Sequence, residues 1–327
     1  MKRNLHTLQS CCCWFALLIS LEHALVVQGQ DPAKPAPPLL GEKVNLIGPS
    51  SNPYLSAQIP PGNIYHPFFD YSGVHGIFPA EIGLDYFGFR NDRNLYFEPA
   101  RDYRLIVLTS GSEGAGYSHK ITIAEHMESM LNKKSERPVR VLNLSMNSYC
   151  LSQEIATFVH LAWHLKPEIV VSLTGWNDMI YGATVPAEFN QLGLHAPHFL
   201  ENWSAAIHPT NPVRPNPWDP RSGTDEMIIA GFLKNIAKYR ALVTAGDATF
   251  VVALQGFDPQ AGPVPEFYPP IYRRMEKLSH RVQTIPGFLD FTKNQALRYL
   301  DGVHSDDASS RLIAAGLVEK IDPTDAP

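Results

Sequence analysis

The sequence is poor in cysteine, and the few it has are badly placed for cross-linking. Of 327 residues only four are cysteines, and Cys11, Cys12 and Cys13 sit within the first 13 positions. Beyond them only Cys150 remains. That excludes an internal disulfide framework from the rest of the chain, and it makes Cys150 a small core residue in preference to a nucleophile. Charge of one sign is also lacking. The 32 acids and 27 bases give a formal net charge of -5 without a block of either sign. Nothing in that balance points to nucleic acid or an anionic membrane as a partner. There is no internal repeat, and no low-complexity tract beyond proline-rich loops. His119, His126, His160, His164, His195 and His198 show no ligand spacing of the His-Glu-x-x-His kind, so no metal is expected.

The N-terminus is distinct. Met1-Lys2-Arg3 is a short basic start, Cys11 to Val27 is mostly apolar, and Val27-Gln28-Gly29 offers a small-residue cleavage site before Gln30. Residues 1–29 therefore read as a secretory signal peptide, placing the remainder in a secreted or periplasmic setting. An uncleaved anchor is the alternative. Glu22-His23 interrupts the apolar run before it reaches the roughly 20 residues that a span needs, so no stable membrane insertion is expected after cleavage. Leu8-Gln-Ser-Cys11 precedes the apolar stretch where a lipoprotein box would follow it. Residues 30–53, rich in proline and polar residues, read as a linker. Residues 54–102 carry dense aromatics among glycines and prolines, and are expected as irregular structure with a few short strands packed on the main domain.

From residue 103 to 321 strands and helices alternate. Tyr103 to Thr109, Val139 to Leu144, Ile169 to Leu173, Thr249 to Leu254 and Phe288 to Phe291 are short aliphatic or aromatic runs that read as buried parallel strands. Between them, helical spacing appears from about His119 to Asn132 under a Ser118 cap, with Ile121, Ala124, Met127 and Leu131 inward. It recurs from Ser152 to Leu165 (Ile155, Phe158, Val159 and Ala162 inward), from Asp225 to Val243, and near Ile271 to Val282. Ser305 is placed to cap a last helix facing inward through Leu312, Ile313, Leu317 and Ile321, and residues 322–327 form a loose tail. This alternation implies an α/β fold: a three-layer α/β/α sandwich around a mostly parallel sheet. The proline-rich insertion 182–223 follows a strand end, as an active-site wall or as plain surface elaboration.

Four short stretches fall just past strand ends or before the last helix, where an open α/β sheet can gather them on one rim. Ser112 follows the first strand in Ser110-Gly111-Ser112, and Ser145 follows the second in Asn143-Leu-Ser145. Gly175-Trp176-Asn177-Asp178 follows the third, and Asp301-Gly-Val-His304 precedes the final helix. The glycines at 111, 114 and 116 do not make a nucleotide cradle. Their spacing is G-x-x-G-x-G, no Gly-Lys-Ser/Thr follows, and the second strand ends without an acid for a ribose hydroxyl. No cofactor is expected.

In order and spacing these stretches resemble the SGNH (GDSL-like) hydrolase family over roughly residues 103 to 321. Phe87-Gly-Phe-Arg90-Asn91 and Tyr65-His-Pro-Phe68 look like the lead-in that some exported members carry. The resemblance implies a flavodoxin-like strand order, with Ser112 as nucleophile, His304 as general base and Asp301 as its orienting carboxylate. It implies an oxyanion hole from the Ser112 and Ser145 amides and the Asn177 side chain, with Gly111 and Gly175 shaping the site. A serine hydroxyl needs a neutral imidazole to take its proton, and the carboxylate holds that imidazole in one tautomer. Ser145 stands where the family usually has glycine, and Met146-Asn147-Ser148 replaces a glycine-containing turn. Either the second donor survives with a narrower pocket, or the site is weakened. The implied partner is a small-molecule or carbohydrate ester. The alternatives are transfer of the acyl group to a sugar hydroxyl, and a catalytically silent binding domain.

Overall fold

The computed structural model describes residues 63–66, 70–73, 84–85, 87–92, 95–97, 102–116, 119–183, 187, 223–261 and 268–321. The leader, the linker, Ser118, most of the 182–223 insertion and the tail lie outside these. Ahead of the main sheet, β1 (Asn63–His66) and β2 (Asp70–Gly73) pair antiparallel. The aliphatic runs then form β3 (Arg104–Ser110), β4 (Val139–Asn143), β5 (Ile169–Thr174), β6 (Thr249–Leu254) and β7 (Phe288–Asp290). All pairings among them are parallel, in the order β4-β3-β5-β6-β7. Helices are α1 (Ser112–Ala115), α2 (Ile123–Asn132), α3 (Leu151–Thr157), α4 (Trp176–Tyr181), α5 (Asp225–Ala245), α6 (Tyr268–Val282) and α7 (Asp307–Ile321).

Strand alternation divides the core in two. Ile106, Leu108, Val139, Val141, Val171 and Ala253 pack with Ile123, Met127 and Leu131 of α2 and Ile313 and Leu317 of α7. Leu105, Val107, Leu142, Val170 and Val252 face the other way, onto Phe158, Phe232, Tyr239 and Leu278. The result is a three-layer α/β/α sandwich. The chain leaves β3 toward β4 on one side and leaves β5 toward β6 on the other, so a crevice opens between the ends of β3 and β5.

Three helices depart from the spacing argument. The first begins at Ile123, because Thr122 and Glu125 form a reciprocal cap: Thr122 Oγ1 accepts the Glu125 N–H at 3.1 Å and Glu125 Oε2 accepts the Thr122 N–H at 2.6 Å. Ile121 is thereby left outside and is 48% exposed, and Ile123 takes the core position. In the second, α3 widens into a π-turn at Phe158–Ala162 and tightens into a 3-10 turn at Trp163–Leu165. The widened turn rotates the face, so Val159 is exposed and Leu161 is buried. In the third, Asp306 and not Ser305 supplies the cap, its Oδ1 accepting the Ser309 N–H at 2.8 Å, and Leu312 turns outward. Helix α5, over the span expected from spacing, turns Ile228, Phe232, Ile236, Tyr239 and Val243 inward.

The lead-in segment is built on Asp85. Its carboxyl accepts the Phe87 and Phe89 amides, both at 3.0 Å, the Asn91 side-chain amide at 2.6 Å and the Tyr96 hydroxyl at 2.8 Å. Phe89 is fully buried in the main core. Asn91 then bonds β4: its Oδ1 accepts the Asn143 N–H at 2.8 Å and its Nδ2 donates to the Asn143 carbonyl at 2.9 Å. Further along β4, Asn132 exchanges two bonds with the Val139 backbone, and Glu128 accepts the Val141 N–H. Arg90 donates to the carbonyls of Gly116, His119 and Lys120, tying the lead-in to the segment between α1 and α2.

One buried carboxyl sits beneath the sheet. Glu154 of α3 accepts hydroxyl bonds from Thr109 at 2.8 Å and Ser172 at 2.6 Å. Burial pushes its pKa up from 4.5 to about 7, with the Asp178 carboxylate adding to the rise and hydroxyls of Ser172, Thr174 and Thr109 opposing it. The folded protein therefore keeps a proton that the unfolded chain has released, so stability falls as pH rises from 4.5 to about 7 and levels off above. At about 1.4 kcal/mol per pH unit, that interval is on the order of 3 kcal/mol. Glu154→Gln keeps the shape without the charge. It is expected to raise the unfolding midpoint at pH 8, with the gain shrinking toward pH 5 in scanning calorimetry. A gain independent of pH would show that ionisation of Glu154 is not the cause.

Candidate active site

The turn after β3 separates the roles of its two serines. Ser110 is spent within the fold: its Oγ donates to the Leu173 carbonyl on β5 at 2.6 Å and accepts the Gly114 N–H at 3.3 Å. Ser112 opens the single-turn helix α1, and its Oγ lies 2.7 Å from His304 Nε2. Gly111 between them has no room for a side chain, because a Cβ there would stand 2.4 Å from Asn177 Nδ2. The turn is therefore made of small residues for reasons of contact.

His304 lies in the loop before α7, and its Nδ1 is 2.7 Å from Asp301 Oδ2. The other Asp301 oxygen accepts the backbone N–H groups of His304 at 2.9 Å and Val303 at 3.2 Å. Burial raises the Asp301 pKa, but the bonds from the His304 ring and backbone and from Val303 outweigh it and hold the carboxyl below its usual range. An ionised carboxylate can only accept, so the proton on the His304 ring belongs on Nδ1. Nε2 is then an acceptor for the Ser112 hydroxyl. The loop itself is pinned by the Leu300 N–H donating to the His304 carbonyl at 2.7 Å and by Gln255 Nε2 donating to the Val303 carbonyl at 3.0 Å. The His304 and Asp301 side chains are 29% and 50% exposed, open to a solute arriving at the rim.

Gly175 and Asn177 follow β5. Gly175 has φ 113°, a conformation that an L side chain rarely takes, and a Cβ there would also meet Leu254 at 2.4 Å. That bend starts α4 at Trp176 and brings Asn177 Nδ2 beside Gly111, where one amide hydrogen is donated to the Tyr149 carbonyl at 2.8 Å. Asp178, fully buried, accepts the Leu151 N–H at 3.0 Å and fixes α4 to the start of α3.

The end of β4 is the least conventional corner. Ser145 keeps a negative φ, and the left-handed position of this turn falls on Ser148, with φ 61°. A Cβ at 145 therefore costs no backbone strain. The Ser145 amide donates to Asn143 Oδ1 at 3.1 Å, and its buried Oγ has no hydrogen-bond partner. Asn143 is itself held by donating Nδ2 to the Gly114 carbonyl at 3.0 Å.

Two features of the site were not apparent from residue spacing. Glu113, directly after Ser112, is buried and bonds Ser305, directly after His304. A charged residue inside a small-residue turn was the available signal. The second is an aromatic cluster of Trp176, Phe257, Tyr268 and Tyr272, with ring centroids 5.1–6.0 Å apart. Burial and then the Asp301 carboxylate raise the Tyr268 pKa. Its members come from the start of α4, the loop after β6 and the start of α6, too far apart in sequence for any local pattern to reveal. Among the described residues no group of His, Cys, Asp or Glu is arranged to hold a metal ion, and no helix is long and apolar enough to cross a membrane.

No protein-family model matches the sequence, and no curated protein does. Several solved structures are similar to it at low identity. A lipase/acylhydrolase from Enterococcus faecalis is 15% identical, covering 68% of this chain and 96% of its own, with a TM-score of 0.42. A GDSL-like lipase from Bacteroides thetaiotaomicron is 12% identical over 68% of this chain and 91% of its own, with a TM-score of 0.41. A catalytic mutant of an acetylxylan esterase from Geobacillus stearothermophilus is 14% identical over 67% and 94%, with a TM-score of 0.42.

Proposed function

We propose that the chain is an exported serine esterase of the SGNH (GDSL-like) kind, acting on an acetyl or short acyl ester, with an acylated carbohydrate as the favoured substrate class. The observation that carries this reading is the relay Ser112 Oγ–His304 Nε2 and His304 Nδ1–Asp301 Oδ2, both at 2.7 Å, the first joining residues 192 positions apart in sequence. In this reading residues 1–29 are the leader, 30–53 the linker, 54–102 an extension packed on the catalytic domain 103–321, and the 182–223 insertion shapes the substrate site. The aromatic and proline-rich character of that insertion favours a carbohydrate.

Ser112 Oγ attacks the ester carbonyl carbon as its proton passes to His304 Nε2, and Asp301 stabilises the imidazolium that forms. The carbonyl oxygen, now an anion, takes hydrogen bonds from the Ser112 amide and from Asn177 Nδ2. The Ser145 amide joins them to the extent that it turns from Asn143 Oδ1. Collapse of the tetrahedral intermediate breaks the C–O bond to the alcohol, which leaves with the proton from His304. Water then repeats the sequence on the acyl-serine: His304 takes its proton, Ser112 is released, and the carboxylic acid departs.

A serine-directed fluorophosphonate probe tests the nucleophile. The folded parent is expected to label, Ser112→Ala to lose labelling, and Ser110→Ala to keep it, because Ser110 is engaged in structural bonds. Labelling that survives Ser112→Ala removes Ser112 from the role, and a folded parent that never labels favours a silent binding domain.

Asn177→Ala is expected to lower kcat on p-nitrophenyl acetate by about 10²–10³, the usual range for one oxyanion donor, with KM little changed. Steady-state kinetics on active-site-titrated protein check this, and an unchanged kcat would exclude Asn177 from the oxyanion hole.

A further inference from the structure

Ser112 and His304 meet through one hydrogen bond between side chains that can each rotate away, and they belong to segments 192 residues apart. The residues immediately after each of them are also joined. Glu113 Oε2 accepts the Ser305 N–H at 3.0 Å, and Glu113 Oε1 accepts the Ser305 hydroxyl. The Ser305 carbonyl is held in turn by His119 Nε2 at 2.7 Å. A carbonyl only accepts, so His119 carries its proton on Nε2 here, and its Nδ1 is buried without a partner. All three residues are sealed: Glu113 is 1%, Ser305 0% and His119 4% exposed.

From this geometry we infer that Glu113 is a positioning residue for the proposed ester chemistry, clamping the loop that carries the base onto the turn that carries the nucleophile. The inference rests on the reading of Ser112 and His304 as nucleophile and base. Physical considerations favour it over incidental packing. A two-point carboxyl clamp on both the backbone and the side chain of one residue removes rotation as well as translation. It acts one residue from each reacting atom, where a displacement of 1 Å costs about 10²-fold in rate. Helix α1 is a single turn and gives Ser112 little rigidity of its own. The clamp also explains why Ser305 does not cap α7, since its hydroxyl is committed to Glu113 and Asp306 caps in its place.

The test compares Glu113→Ala, Glu113→Gln and Ser305→Ala with the parent, in the full chain. Readouts are kcat and KM on p-nitrophenyl acetate per fluorophosphonate-titrated site, and the downfield proton resonance of the His304 Nδ1–H···Asp301 bond. Glu113→Ala is expected to lower kcat by about 10²-fold with KM within about twofold, and to broaden or shift the downfield proton. Glu113→Gln keeps an acceptor for the Ser305 amide and is expected to recover most of the loss. Ser305→Ala keeps the backbone bond and should fall between. If Glu113→Ala does not fold, Glu113→Gln and Ser305→Ala carry the comparison. Unchanged kcat and an unchanged resonance in folded variants overturn the clamp, as does a loss of folded protein with full activity in what remains. A parent that shows the resonance but neither labels nor hydrolyses refutes the esterase reading instead, and the response of the resonance to Glu113→Ala still decides the clamp.

Discussion

Everything in the domain follows from a parallel sheet with apolar side chains on both faces. Burial of β3 and β5 requires every backbone group to be paired, so neither strand tolerates an irregular residue until it has cleared the sheet. Irregularity is therefore expelled to the strand ends. There the reversal in winding direction between β3 and β5 opens the crevice holding Ser112 and Asn177. The glycines at 111 and 175 belong to this constraint: one lets the Asn177 amide approach, the other bends the chain off β5 at once. A loop from the far end of the chain then brings His304 and Asp301 to the same rim.

Much of this was legible because it depends on short-range rules. Strand runs of Val, Ile and Leu have few ways to be satisfied, and all five were placed within a residue or two. Ser112, Asn177, Asp301 and His304 were singled out by the family resemblance, on stretches just past strand ends or before the last helix, and the structure brings Ser112, His304 and Asp301 into hydrogen-bond contact. The remaining features depend on competing bonds that local sequence does not display. Thr122 displaces any earlier cap because Glu125 stands three residues on to reciprocate. The π-turn after Thr157 leaves no compositional mark, yet it turns Val159 outward. Ser305 looked like a cap because serine usually is one; its partner is Glu113, 192 residues away in sequence.

The corner at Ser145 illustrates how a serine, where the resemblance leads one to expect glycine, can be harmless to the backbone and still bear on the proposed chemistry. The backbone question has a simple outcome, since the positive φ in this turn falls on Ser148. Under the proposed ester chemistry the question becomes one of competition, because Asn143 Oδ1 already holds the amide hydrogen that a developing oxyanion would need. An Asn in this position is both a support for α1, through Gly114, and a rival acceptor. In the proposed esterase, a site so arranged would rely on Asn177 more than one in which all three donors pointed freely at the substrate.

The bonds that Asn91, Glu128 and Asn132 make to β4 have a consequence beyond holding the lead-in. Among the described residues β4 is the outermost strand on its side, and residues 139, 141 and 143 turn their backbone groups away from β3. An exposed row of that kind invites another chain to add itself as a further strand. Side-chain amides take both backbone groups of Val139 and of Asn143, and a carboxylate takes the Val141 N–H. Among the described residues the sheet is closed on this side by three side chains and not by a strand, which protects the protein at high concentration from edge-to-edge aggregation.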